Sequence, residues 1–159
     1  ARMIHTERMT ARIQGEFAVL LIGMRINRLL SVHKWLPVNR AMGRMLNELY
    51  AKPELGFLSH EMWFSRTIIL VQYWRSHEAL LEYAKARDSS HLPAWQAFNR
   101  AVGTDGSVGV WHESYVVKPG MYENVYVNMP PFGMGKAGEL VPASAGLQSA
   151  AGRMQSLES

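Results

Sequence analysis

The chain contains six histidines, His5, His33, His60, His77, His91 and His112, the side chains best suited to move a proton near neutral pH. Two stand directly before a glutamate, as His60-Glu61 and His112-Glu113. Imidazole–carboxylate pairs serve acid–base chemistry or bind a metal, but the two pairs fall on strands at opposite sheet edges and could share a metal only across a dimer, so ordinary hydrogen bonding on a strand is the favoured reading. His91 has different neighbours. It opens a helical stretch beside Trp95, Phe98 and Tyr83, where a neutral imidazole can ligate haem iron, act as a base, or simply bond locally at the helix entry. Arg25 and Asn27 are two residues apart at the end of a strand and so share a face. A guanidinium there needs a partner, either a structural carboxylate or an anionic group such as a substrate carboxylate or a haem propionate.

Aromatic residues supply the second signal. Trp63, Trp74 and Trp111 fall on three different predicted strands. Alternation puts Trp111, Glu113, Tyr115 and Val117 on one face of the last strand and Val110, His112, Ser114 and Val116 on the other. A face with aromatic rings, one carboxylate and one phenol suits an apolar small-molecule pocket, and it suits a dimer core equally well. Trp63, Trp74, Tyr83, Trp95, Phe98 and Trp111 are the candidate substrate-binding residues.

Several chemistries are excluded. The chain has 159 residues and no cysteine, so it has no disulfide, thiolate nucleophile or cysteine-held cluster. Gly133-Met134-Gly135-Lys136 has the wrong spacing for a phosphate loop, and no GxSxG elbow occurs. The pI of 9.6 invites a nucleic-acid reading. However, residues 1–52 carry nine Lys/Arg and three Asp/Glu, while the rest carries eight and ten. The cations are scattered singly, and no nucleic-acid partner is expected. The longest apolar run, Phe17–Met24, is far too short to span a membrane. No signal peptide is visible, and a cytoplasmic location is expected.

The elements that must position these residues follow from periodicity. Hydrophobic residues make up 48% and charged residues 19% of the chain, an ordinary globular balance. Residues 16–26 read as a central strand covered on both faces. Pro37 is expected to open a helix with an apolar stripe at Val38, Ala41, Met42, Met45, Leu46 and Leu49, which Pro53 stops. Residues 57–64 and 67–74 form a hairpin turning at Ser65-Arg66. Ser76 caps the next helix, and 91–102 forms a second helical segment. Residues 108–117 alternate as a fourth strand, and 122–128 read as a weaker fifth.

The order strand, helix, strand, strand, helix, strand is the ferredoxin-like βαββαβ arrangement of an α+β domain. Its sheet order places the first and third strands centrally. One sheet face takes the helices and the other is left apolar and open, which predicts a homodimer joined face to face. The expected organisation is an arm at 1–15, the domain at 16–128, and a C-terminal arm or tail at 129–159.

Six strings carry a family resemblance: IGMRIN (22–27), HKWLP (33–37), QYWRS (72–76), HLPAW (91–95) with FN at 98–99, VGVWHE (108–113) and YENVYVNMPPFG (122–133). Together they resemble a bacterial and fungal family of monooxygenase-like proteins named for a member of the fumagillin pathway. The resemblance implies the dimeric α+β barrel fold. That superfamily includes cofactor-free antibiotic-biosynthesis monooxygenases, haem-degrading monooxygenases, chlorite dismutases and haem-containing aldoxime dehydratases, so fold alone does not choose the chemistry. Haem-degrading members carry the axial histidine on the helix after a Trp-x-Ser strand end, and His91 stands in a similar region here.

The resulting expectation is an oxidative, monooxygenase-like enzyme acting on a hydrophobic small molecule. With haem b, His91 is the axial ligand and Arg25 a propionate partner. With no cofactor, Asn27, His112, Glu113 and Tyr115 handle protons and orient a substrate carbanion. The alternatives are a haem-dependent aldoxime dehydratase and a non-catalytic dimer that binds haem or an apolar ligand.

Overall fold

The computed structural model describes residues 3–86 and 93–158. Its main sheet has four antiparallel strands, β2 (Phe17–Ile26), β3 (Phe57–Trp63), β4 (Thr67–Trp74) and β5 (Val108–Val117), in the order β3-β4-β2-β5. The first and third of these are central, so the α+β, ferredoxin-like order expected from the sequence is the one observed. The two inner strands are also the most apolar, because only they are flanked on both sides and shielded along their length.

Helices α1 (Val32–Ala51), α2 (His77–Lys85) and α3 (Pro93–Val102) lie on one face. The expected stripe of α1, Val38, Ala41, Met42, Met45, Leu46 and Leu49, is buried against Ala18, Leu20, Ile22, Met24 and Ile26 of β2. Fully burying a side chain such as Leu49 contributes about 2 kcal/mol. Pro37 does not open α1, however. The helix begins five residues earlier, where the Lys34 and Trp35 amides bond the Ser31 carbonyl and the Trp35 indole N–H donates to the Leu29 carbonyl at 3.0 Å. Pro37 therefore sits one turn inside, where its missing N–H forfeits a single hydrogen bond. Ser76 caps α2 as expected, its hydroxyl accepting the Ala79 N–H at 3.1 Å. At the start of α3, Glu48 of α1 accepts the Ala94 N–H at 3.4 Å.

A second sheet pairs β1 (Met9–Arg12) with β6 (Glu139–Pro142). The expected fifth strand at 122–128 is replaced by isolated bridges, Tyr126 to Met9 and Met129 to His5. The reason is Asn124. Its carboxamide accepts the Ala11 N–H at 2.6 Å and donates to the Ala11 carbonyl at 2.9 Å, standing in for the backbone of a strand partner. Helices α4 (Met134–Ala137) and α5 (Ala150–Glu158) complete the chain. The segment carrying α4 crosses the β3 edge of the face opposite the helices. There Phe132 meets Trp63 edge-on, and Lys136 pairs with Glu61 at 2.9 Å. Among the described residues no helix is long and apolar enough to cross a membrane.

Candidate active site

Between α2 and the sheet lies a cleft of about 140 Å³. Its apolar walls are Leu20 and Ile22 of β2, Met45 of α1, and Leu80, Leu81 and Ala84 of α2. Four polar side chains interrupt them: Gln72 of β4, Tyr83 of α2, and His112 and Ser114 of β5. The register explains the grouping. Leu20 is paired with both Gln72 and Ser114, and Ile22 with both Leu70 and His112, so these residues form two adjacent cross-strand rows on the helix side. β5 is an edge strand, which leaves His112 and Ser114 exposed at the mouth, whereas Gln72 on inner β4 is buried.

Trp74 is fully buried, and its indole N–H donates to Gln72 Oε1 at 3.0 Å. Its ring lies 5.3 Å from the Tyr83 ring and 5.6 Å from Phe57. Burial first, and then the nearby Glu48 carboxylate, pushes the Tyr83 phenol well above its ordinary range and keeps it protonated. The cleft thus offers an imidazole at its mouth and amide and phenol groups deeper in, inside an apolar lining. That combination can hold a small apolar molecule and exchange a proton with it.

The sequence candidates fall into three groups. His112, Tyr83 and Trp74 lie at or behind the cleft, and Phe98 is buried in the same core. Glu113, Tyr115, Trp63, Trp111 and Arg25 lie on the other face of the sheet. There Tyr115 donates to Glu113 at 2.9 Å, and Arg25 donates to Asn27 Oδ1 at 2.6 Å. Asn27 in turn donates to the Gly106 carbonyl at 3.2 Å and so fastens the end of β2 to the turn before β5. His112 is therefore separated by the sheet from Glu113 and Tyr115. Neighbours on a strand point to opposite faces, so neither His–Glu sequence forms a dyad. His60 faces the helices and meets the Tyr50 hydroxyl at 2.7 Å, with its pKa lowered by burial first and then by Lys136. Glu61 faces the other way, toward Lys136. Trp95 falls on α3, and His91 lies outside the described residues.

Gln72 and Ser114 were not among the candidates drawn from the sequence. The signal for Gln72 was present in TIILVQYW, where it is the one polar residue in the helix-facing set Ile68, Leu70, Gln72 and Trp74.

A haem does not fit the cleft that the described residues form. A cavity of ~150 Å³ holds one benzene-sized ring, and the described cleft, about 140 Å³ with His112 as its one imidazole, has no room for a macrocycle of four pyrrole rings. Among the described residues no group of three or more His, Asp or Glu is placed to hold a metal ion.

Residues 17–134 match the family described as Monooxygenase af470-like. A curated relative, Monooxygenase af470 of Aspergillus fumigatus, is 27% identical over 132 residues, covering 77% of this chain and 46% of its own length. The chain therefore spans less than half of that relative. Among solved structures, an aldoxime dehydratase (OxdRE) in complex with butyraldoxime superposes with a TM-score of 0.61 at 18% identity, over 83% of this chain and 39% of that one. A second aldoxime dehydratase gives 0.61 at 17% identity, over 90% and 45%. At these identities the likeness shows the fold alone.

Proposed function

The chain belongs to the af470-like monooxygenase family, and from that premise we propose that it is an oxidative enzyme whose substrate, a hydrophobic small molecule, sits in the cleft between α2 and the sheet. The carrying observation is the company His112 keeps: an imidazole at the mouth of an apolar cleft with a buried amide and a phenol behind it. In the cofactor-free form of this reading, the substrate supplies the electrons and oxygen is the oxidant. His112 takes a proton from a carbon acidified by conjugation. The resulting anion reacts with O2, the CH2 becomes C=O, and the second oxygen atom leaves as water. Leu80, Leu81 and Ala84 keep bulk water from the anion.

A second copy of the chain is proposed to cover the open sheet face. Support comes from Val19, Leu21, Ile69, Val71 and Trp111, which stay partly exposed there, and from Tyr115, which is 51% exposed. Glu113, Tyr115, Arg25 and Trp111 then face the partner copy rather than the cleft.

The test is oxygen uptake by the purified chain with a panel of polyphenols and aromatic ketones. The expected result is uptake that falls by about a hundredfold in His112→Ala, the scale of a lost general base. An unchanged rate removes His112 from the reaction. Ligands that bind without oxygen uptake make the chain a non-catalytic binder. A sharp Soret band on haemin addition, lost in His91→Ala, overturns the cofactor-free reading in favour of haem chemistry, aldoxime dehydration included.

A further inference from the structure

Gln72 stands where the sheet otherwise presents apolar side chains to the helices. Ile68, Leu70, Gln72 and Trp74 are the helix-facing residues of β4, and all four are buried. A primary amide taken out of water is costly unless its polar atoms are bonded. Half of that requirement is met inside the chain, because the Trp74 indole N–H donates to Gln72 Oε1 at 3.0 Å. An indole nitrogen only donates, so the amide oxygen must face it and the NH2 must face away. Among the described residues no hydrogen bond from Gln72 Nε2 is found, and this nitrogen is not one of the sealed-off unpartnered atoms, so it keeps access to the cleft whose wall Gln72 helps form.

We infer that Gln72 is the specificity-determining residue of the cleft and Trp74 its positioning residue, together offering an N–H to an oxygen acceptor on a small cyclic ketone or enol. This inference rests on reading the cleft as the substrate site. The size agrees: a cavity of ~150 Å³ holds one benzene-sized ring, and this one has about 140 Å³. The register fixes the orientation. Gln72 and Ser114 flank Leu20 from the two neighbouring strands, about 10 Å apart at ordinary strand spacing. A ring lying over Leu20 and Ile22 therefore has its oxygen at Gln72 and its far edge toward Ser114 and His112.

The test uses cyclohexanone and methylenecyclohexane, the same ring with CH2 in place of oxygen, titrated into the full chain. Affinities are read by NMR, together with the Gln72 side-chain amide signals. The expected result is a preference of about tenfold for the ketone, one hydrogen bond's worth of discrimination. The preference disappears in Gln72→Leu and shrinks in Trp74→Phe, which keeps a ring but releases the amide. A ketone preference unchanged in Gln72→Leu overturns the inference, and so does equal binding of both probes to the native chain. Either result leaves the cleft standing as a binding site. Binding of neither probe overturns the cleft reading and the inference together. If Gln72→Leu does not fold, the native chain still decides: the Gln72 amide protons must shift with the ketone and not with the alkene, and the absence of that difference overturns the assignment.

Discussion

The indole ring of Trp111 lies directly against Gly23, its cross-strand partner on β2, so that a methyl group added at Gly23 would overlap the ring. The same methyl would sit 2.6 Å from the Ile68 carbonyl oxygen. The missing side chain at Gly23 is what lets a large ring lie across the middle of the open sheet face. Glycine costs a strand packing and entropy, and here that cost is offset by the aromatic surface it admits.

Gly23→Ala is accordingly expected to destabilise the chain by about 1–3 kcal/mol, the range for overpacking a filled site. Urea unfolding reads this as a lower midpoint at unchanged slope. Adding Trp111→Leu recovers part of the loss by removing the ring, but not all of it, because the Ile68 carbonyl belongs to the backbone. A midpoint equal to that of the native chain shows that the ring moves aside at no cost.

Glu61 is the fastening point of the segment that crosses the β3 edge. Its Oε1 accepts the Gly133 N–H at 3.0 Å and the Lys136 ammonium at 2.9 Å, with the two charged side chains only 11% and 24% exposed. Glu61→Gln keeps an acceptor for Gly133 but leaves Lys136 partly buried without its counter-charge. The expected loss is about 1–3 kcal/mol, confined to this segment. Hydrogen exchange checks it: amides of β1, β6 and Tyr126 exchange faster while those of β2 and β4 do not. Uniform acceleration across both sheets would mean that the segment has no separate hold.

Arg153 does the same for α5. It is 5% exposed, bonds Glu123 through Nε at 2.9 Å and Nη2 at 2.8 Å, and donates from Nη1 to the carbonyls of Leu147 and Gln148. Arg153→Met removes every one of these bonds and leaves Glu123 without its cation. Limited proteolysis is expected to cut within 143–149 in the variant and to spare the native chain. Identical cleavage patterns would rule out Arg153 as the anchor.

Legibility in the sequence tracked the physics of each element. The sheet order and the α1 stripe were readable because burial imposes a period on apolar residues, as in Val38 through Leu49. The start of α1 was not, because Ser31 stands at its N-cap without a side-chain hydrogen bond, and the first turn is held instead by the Ser31 carbonyl and by the Trp35 indole N–H. The strand expected around Asn124 failed because a side chain, invisible to alternation, does the pairing. In the candidate site, His112 stood out by residue type, and alternation alone separated it from Glu113 and Tyr115. Gln72 was hidden because its role depends on the Trp74 hydrogen bond and on α2 lying over β4, both of which are tertiary facts.

Asp105 gives the clearest dependence on pH. Its Oδ1 accepts the Ser107 N–H at 2.9 Å, and its Oδ2 lies 3.2 Å from the Lys34 ammonium. The Ser107 amide first, and then the Lys34 ammonium, hold the carboxyl down from 3.8 to about 2. A carboxyl with a depressed pKa in the folded chain binds a proton more readily when unfolded. Its contribution to stability is therefore complete above the ordinary carboxylate range and is lost as the pH falls from 3.8 to about 2. Asp105→Asn, which cannot ionise, is expected to melt below the native chain by a constant margin at neutral pH. The margin narrows through that acidic window as the native carboxylate is protonated. Molar salt, with a screening length of about 3 Å, is expected to remove the Lys34 share, because both side chains are solvent-accessible, and to leave the Ser107 share. A melting difference that stays constant down to about pH 2 would show that the charge of Asp105 contributes nothing and that its hydrogen-bond geometry alone braces the turn between α3 and β5.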